Sequence, residues 1–246
     1  MDEEGILPDA LEAACREHGP KAVYLIPTIH NPTTATMSRS RREAVAEILR
    51  ANDVLLVEDD AYGPLEPSAV PLASLIPERT YFAASLSKCI APGLISFLLT
   101  PDNEAAGRLA AALRATVQMP AFLMVAVVAR WLGDGSADAI IEAIRSEAAA
   151  RQKIAAEVLA GQPAFRHPNG HHIWMPLPHG WSRTEFASHV QRQGLAIVTA
   201  ESFSVGETQP HAIRVALDAA SSRSELVQGL QILAAALRSP AVTRVV

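Results

Sequence analysis

The sequence predicts an α/β protein, in which a mostly parallel sheet covered by helices is followed by a small α+β lobe at the C-terminal end. Hydrophobic residues make up 49% of the 246 residues and charged residues 19%, which is enough apolar material for a sizeable core. In the first half, short continuous apolar runs alternate with helical patterns, as expected for strands buried on both faces of a sheet. From Ala164 onward, a long helical pattern gives way to alternating strand and helix patterns. We therefore predict a large domain over residues 1–150 and a small domain over residues 151–246.

Apolar runs and capping residues predict the elements in chain order. Strands are expected at residues 22–26, 54–57, 80–84 and 96–99 of the large domain. Helices are expected from Pro8 up to Gly19, from the N-cap Ser38 through Arg50, and across residues 102–159 with breaks near Pro120 and at 133–135. In the small lobe, strands are expected at 172–175 and 213–217, and helices at 182–193 and 222–237. The apolar run at 121–129 predicts a buried core helix, because it is too short to span a bilayer.

Charge and cysteine content exclude several classes of function. The net charge is −5 and the basic residues are scattered, so we expect no nucleic-acid binding by this chain alone and no membrane insertion. Two cysteines, Cys15 and Cys89, are too few for a disulfide framework. The acidic N-terminus, from Met1 to Glu4, does not resemble a secretory signal. Together these features predict a cytoplasmic protein.

Four short segments carry residues that can do chemistry, and three of them directly follow predicted strands. They contain Asn31; Asp59 and Tyr62; Ser85, Ser87 and Lys88; and Arg214. Each segment alone is also typical of an ordinary turn, helix cap, surface lysine or structural ion pair. Their order is more specific: Asn31 and Asp59 are 28 residues apart, and Asp59 and Lys88 are 29 apart. Open α/β sheets bind ligands just beyond the carboxyl ends of their strands, which favours one shared site.

The four segments together resemble the motifs of the class I and II aminotransferases, which have the fold-type I pyridoxal-phosphate (PLP) transferase fold. They are similar to the family's N-P-T-G, D-x-x-Y and S-x-S-K motifs and to its late arginine, 126 residues beyond Lys88. The stretch from Val23 to Thr100 is especially similar to aminoadipate-type aminotransferases and to the aminotransferase-like domains of MocR-type regulators of the GntR family. Much of that similarity lies in the segment from Glu58 to Gly63. The resemblance covers nearly the whole chain and implies a partial fold of this type.

The resemblance implies a role for each candidate residue. Lys88 is the catalytic residue and binds the PLP aldehyde covalently, and Asp59 pairs with the pyridine nitrogen. Asn31 and Tyr62 hydrogen-bond the phenolic oxygen, while Ser85 and Ser87 hold the phosphate. Arg214 binds the substrate carboxylate, for which the planar guanidinium is a bidentate match. The implied partners are an amino acid, a 2-oxo acid and a second copy of the chain in a homodimer.

Metal binding is the less favoured interpretation of two clusters. His171 and His172 lie in a predicted strand, and no third ligand has suitable spacing. Asp59 and Asp60 could hold a metal with Glu58. PLP explains Asp59 better, because Tyr62 and Lys88 accompany it. We therefore expect no metal.

Two departures from the family pattern predict weak PLP binding and little transaminase activity. Ile95 stands where the family has an arginine that holds the phosphate, and Phe97 replaces a glycine. The family fold also begins before the position that matches Met1, so its glycine-rich phosphate loop and ring-stacking aromatic residue have no counterpart here. Three interpretations stay open: an amino-group transfer domain, a PLP-binding effector domain of a MocR/GntR-type regulator, and a truncated or degenerate fragment without catalysis.

Overall fold

The computed structural model describes residues 1–206 and 208–239 and divides the chain into two compact units. The first unit comprises residues 1–31 and 35–145, and the second comprises residues 32–34 and 146–246.

The first unit is built on a mixed four-stranded sheet. Its strands are β1 (Ala22–Leu25), β2 (Leu55–Asp59), β3 (Thr80–Ser85) and β4 (Ser96–Leu99), in the order β1-β2-β3-β4. The first three strands are parallel, and β4 is antiparallel to β3. The four strands predicted from the sequence are confirmed, with their ends within two residues of the predicted ones.

Helices α1 (Pro8–His18) and α2 (Arg39–Ala51) belong to the apolar core of this unit. Two of their termini lie where the sequence predicts them. Helix α1 ends at its C-cap Gly19, which adopts the left-handed conformation. Helix α2 begins at its N-cap Ser38, whose side chain accepts a hydrogen bond from the Arg41 amide. The core contains the following residues of both helices and of the strands: Leu11, Cys15, Leu25, Val45, Leu49 and Leu56.

The two faces of β2 are buried to different degrees. Leu56 and Glu58 are fully buried, whereas Val57 and Asp59 on the opposite face are only partly buried. All four residues of β4 are exposed, and Leu99 is 62% accessible. The expectation of a sheet buried on both faces is therefore wrong for β4, because an apolar run reveals side-chain type but not what lies over it.

Three further helices follow: α3 (Asn103–Thr116), α4 (Phe122–Asp134) and α5 (Ser136–Val158). Their breaks lie where Pro120 and the Gly133–Gly135 segment predict them. The prediction that α4 is a buried core helix is wrong, since only Val128 is buried in it and Phe122 is 79% exposed. Among the residues that the structure describes, no helix is long and apolar enough to cross a membrane.

The second unit is a small α+β arrangement with an antiparallel sheet. Its strands are β5 (Phe165–Arg166), β6 (His172–Pro176), β7 (Val198–Thr199) and β8 (Ala212–Ala216), in the order β5-β6-β8-β7. Helices α6 (Arg183–Gln191) and α7 (Arg223–Arg238) begin at serine caps, Ser182 and Ser222, whose side chains accept amide hydrogen bonds three residues on. The sequence predicts β6, β8 and both helices, but not β5 and β7, because two residues are too few for a pattern.

Candidate active site

The predicted cofactor residues of the first unit follow the ends of its parallel strands. Asp59 is the last residue of β2, and Ser85 is the last residue of β3. The parallel register pairs Asp59 with Ala83, so the two strands end at the same edge of the sheet. Asn31 lies six residues beyond the end of β1. This edge is where an open α/β sheet binds its ligand.

Both oxygens of the Asp59 carboxylate accept hydrogen bonds. The Ala61 amide donates to Oδ1 at 3.2 Å, and the Tyr24 hydroxyl donates to Oδ2 at 2.6 Å. Tyr24 comes from β1 and reaches Asp59 diagonally, because the register pairs it with Val57. Burial, followed by the hydrogen bond to Asp59, raises the pKa of the Tyr24 phenol, so it stays protonated and able to donate. Sequence reasoning missed Tyr24, and the available signal was a tyrosine near the end of the neighbouring strand.

Three serine hydroxyls form a small network beyond β3. Ser85 Oγ receives hydrogen bonds from the Ser87 amide at 3.2 Å and from the Ser96 hydroxyl at 3.1 Å, and it donates to Ser87 Oγ at 3.0 Å. Ser85 is therefore committed to the local turn. Ser87 accepts in this network, which leaves its own proton for a ligand such as a phosphate oxygen. Ser96 is a third hydroxyl here that sequence reasoning did not identify.

Lys88 and Tyr62 lie on the turns that follow β3 and β2. Lys88 is exposed, whereas Tyr62 is only 7% accessible. Tyr62 packs in an apolar cluster with Leu86 and Cys89. Ile95 packs against the same cluster, so it contributes apolar contact where the family pattern has a cation.

A buried charged network lies on the opposite side of β2 from Asp59. Arg42 of α2 is 2% exposed and donates to the carbonyls of Pro27 at 2.9 Å and Met37 at 3.1 Å and to the Thr28 hydroxyl at 3.0 Å. Its Nη1 lies 3.9 Å from Glu58 Oε1. Arg42 thus ties the segment before Asn31 to the strand that carries Asp59.

Two buried carboxyls share this network. Glu58 accepts hydrogen bonds from the amides of Leu72 at 2.9 Å and Ala73 at 2.6 Å. Burial raises the pKa of Glu58 to about 7, and it raises the pKa of Asp60 to about 6 against the opposing Thr28 hydrogen bond. Because Glu58 is engaged on the other face of β2 from Asp59, these two carboxyls do not form a metal site together. A Cβ at Gly63 would overlap the Asp60 carboxylate, which explains the glycine in this motif.

The raised pKa values predict how stability depends on pH. Burial in the folded state disfavours the ionised form of both carboxyls. Below about pH 4 both are protonated in the folded and the unfolded chain, so burial does not reduce stability there. Above about pH 7 both are ionised, and the full free-energy cost of burying the charges lowers the stability of the fold. We expect the free energy of unfolding to fall across this window by about 3 kcal/mol for Glu58 alone. Urea unfolding at several pH values measures this. Glu58→Gln should flatten the upper part of the window and Asp60→Asn the lower part, whereas a wild-type curve that rises with pH would contradict the assignment.

Arg214 lies in β8 of the second unit, as the sequence predicts. The register pairs it with Trp174 of β6 and with Val198 of β7. Its guanidinium lies over the ring of Phe203, at 5.2 Å from the centroid, which restrains the plane of the fork. Within residues 1–206 and 208–239, no three His, Cys, Asp or Glu side chains are grouped so that they could hold a metal ion.

Comparison with known proteins assigns the family. The model of aminotransferase class I and II matches residues 2–233. An uncharacterised HTH-type transcriptional regulator of Bacillus subtilis, YdeF, is 34% identical over 231 residues, which are 92% of this chain and 49% of YdeF. The vitamin B6 salvage pathway transcriptional repressor PtsJ of Salmonella typhimurium is 29% identical over 88% of this chain and 50% of PtsJ.

A solved structure gives the same result. It is LysN, the α-aminoadipate aminotransferase of Thermus thermophilus, in complex with N-(5'-phosphopyridoxyl)-L-leucine. It superposes with a TM-score of 0.86 and 25% identity, over 96% of this chain and 63% of LysN. The chain spans about half the length of the two regulators. Its fold is thus that of PLP-dependent aminotransferases, and the chain belongs to the aminotransferase class I and II family.

Proposed function

We propose that this chain belongs to a PLP-dependent amino-group transfer domain, which when complete acts between an amino acid and a 2-oxo acid. The observation that carries the proposal is the set of complementary groups at one edge of the sheet. Asp59 ends β2, and Ser85, Ser87 and Lys88 follow at the end of the adjacent strand β3. A carboxylate, the Ser87 hydroxyl and a primary amine fit a ligand that has a basic ring nitrogen, a phosphate and an aldehyde.

The residues of the site have separate roles in this proposal. When bound, PLP supplies an electron sink for the α-carbon of an amino acid. Asp59 holds a proton on the ring nitrogen, and Asn31 and Tyr62 hydrogen-bond the phenolic oxygen. Ser87 donates to the phosphate. The Lys88 amine would hold the aldehyde covalently. Once the substrate amino group has displaced it, the freed Lys88 amine would move a proton at the substrate α-carbon.

Arg214→Ala should weaken the binding of amino acids while leaving PLP binding intact. Arginine offers two parallel N–H groups to a carboxylate, and hydrogen bonds to charged groups contribute about 1.5–3 kcal/mol each. We expect the amino-acid concentration for a half-maximal change in the PLP spectrum to rise about 10- to 100-fold. Arg214→Lys keeps the positive charge but lacks the two parallel N–H groups. Its half-maximal amino-acid concentration should therefore lie between those of the wild type and Arg214→Ala. An unchanged amino-acid response in Arg214→Ala would contradict the assignment.

Ile95→Arg should tighten PLP binding. The cofactor phosphate carries about two negative charges at neutral pH, and a charge-assisted contact to it contributes about 1.5–3 kcal/mol. We therefore expect a roughly tenfold or larger decrease in the Kd for PLP, measured by titration of the visible absorbance. Ile95→Met, which is apolar like the native residue, is the control and should leave the Kd near that of the wild type. Equal Kd values for all three proteins would show that Ile95 is not at the phosphate position.

The second candidate function is a PLP-binding effector domain of a transcriptional regulator. The similarity to YdeF and PtsJ supports it, because both regulators match most of this chain. The two functions differ in turnover. An enzyme domain converts amino acid and 2-oxo acid pairs repeatedly, whereas an effector domain changes its PLP spectrum when an amino acid binds but forms no product. An assay of purified protein with PLP over several such pairs therefore tests the proposal, and a spectral response without product would favour the effector. A homodimer remains a prediction from the family resemblance, and a cytoplasmic location remains a prediction from the cysteine content and the N-terminal sequence.

A further inference from the structure

Tyr24 contacts the proposed cofactor residue Asp59 directly, yet neither the motifs nor the chemistry described above give it a role. Its hydroxyl lies 2.6 Å from Asp59 Oδ2, while the Ala61 amide lies 3.2 Å from Oδ1. A tyrosine hydroxyl has one proton to donate, and here that proton goes to the carboxylate. The two donors therefore restrain both oxygens of Asp59 and fix the plane of the carboxylate.

The strand register explains why this contact is specific. Tyr24 pairs with Val57 in the parallel ladder, so its side chain is on the same face of the sheet as Val57 and Asp59. Diagonal neighbours on one face of a sheet are within reach of an aromatic side chain. Leu25, the next residue in β1, points to the buried face. A shift of one residue in β1 would therefore remove the hydroxyl from Asp59.

We propose that Tyr24 is a positioning residue, which orients the Asp59 carboxylate so that its remaining lone pairs face the ring nitrogen of PLP. The inference rests on the proposed function, because it assigns Asp59 to that nitrogen. Each carboxylate oxygen has two acceptor sites, so the bonds from Tyr24 and Ala61 leave one site on each oxygen for the ring N–H. Hydrogen bonds donated to a carboxylate also favour its ionised form, which is the form that keeps the ring nitrogen protonated.

The first arm of the test needs no cofactor and asks whether the contact exists in solution. Urea midpoints are measured for the wild type, Tyr24→Phe, Asp59→Ala and the double variant. Tyr24→Phe should lower the midpoint when Asp59 is present and should have no effect in the Asp59→Ala background. Tyr81→Phe is the matched control: it removes another hydroxyl from the same sheet, one that hydrogen-bonds Arg108, and should act equally in both backgrounds. Identical effects of Tyr24→Phe in both backgrounds would overturn the inference.

The second arm uses PLP labelled with ¹⁵N in the ring. In Tyr24→Phe the ring-nitrogen resonance should move toward that of unprotonated pyridine and lose its proton at lower pH than in the wild type. The Kd for PLP should rise about three- to tenfold, as expected for one lost hydrogen bond. Tyr81→Phe should leave the resonance unchanged. A wild-type resonance in PLP-bound Tyr24→Phe would overturn the inference, whereas a wild-type protein that binds no PLP would refute the proposed function on which it rests.

Discussion

Replacing Arg42 by methionine is expected to lower the free energy of unfolding by about 3–5 kcal/mol, because it removes one partner from a buried charged network. The Arg42 guanidinium donates to Pro27, Thr28 and Met37, and Glu58 lies 3.9 Å from it. Methionine fills a similar volume but leaves the Met37 carbonyl without its donor from Arg42 and two buried carboxyls without a cation. The Pro27 carbonyl keeps the Met37 amide as a donor at 2.9 Å. Burial lowers the pKa of Arg42, yet an arginine side chain stays charged in proteins, so the network depends on it at all accessible pH values.

Urea unfolding at neutral pH measures this effect, with two matched variants. Arg39→Met removes an exposed arginine of the same helix, which forms an ion pair with Glu43 one turn on, and should hardly change the midpoint. Arg42→Lys keeps the charge but loses the planar fork, and should fall between the wild type and Arg42→Met. If Arg42→Met and Arg39→Met were equally stable, the network would not hold the segment before Asn31 to β2.

Changing Lys88 to alanine is expected to abolish covalent PLP binding completely, because no other group of the proposed site is a primary amine. The change in visible absorbance that accompanies covalent PLP binding should be absent. Pyridoxamine phosphate, which has no aldehyde, should bind Lys88→Ala with nearly the affinity of the wild type, since Asp59 and the serine hydroxyls remain. Absorbance measures the covalent binding of PLP, and equilibrium dialysis measures the affinity for pyridoxamine phosphate.

The low lysine content provides a matched control for this experiment. The sequence contains three lysines, Lys21, Lys88 and Lys153, and all three are exposed. Lys153→Ala is therefore a control for an exposed lysine, located in α5, and it should keep the full absorbance change. Loss of absorbance in both variants, or in neither, would contradict the role of Lys88.

The sequence predicts the candidate site as far as it depends on local pattern. Asp59 and Ser85 lie at strand ends because apolar runs end just before polar residues there, and this pattern is visible in a single chain. The bond from Tyr24 to Asp59 could not be predicted, since it depends on the register between β1 and β2. Arg42 could not be singled out among neighbouring arginines, because its burial depends on how α2 packs. The exposure of Phe122 in α4 escaped prediction for the same reason.

The most direct test of the PLP site is to identify which lysine the cofactor modifies. The purified chain is incubated with one equivalent of PLP, reduced with borohydride and digested, and the phosphopyridoxyl-lysine is located by mass spectrometry. Because Lys21, Lys88 and Lys153 are all exposed, unselective reaction would modify the three alike. The site at the ends of β2 and β3 predicts that the label is concentrated on Lys88 and that Asp59→Ala reduces it. A label spread over the three lysines, or one confined to Lys21 or Lys153, would contradict the account.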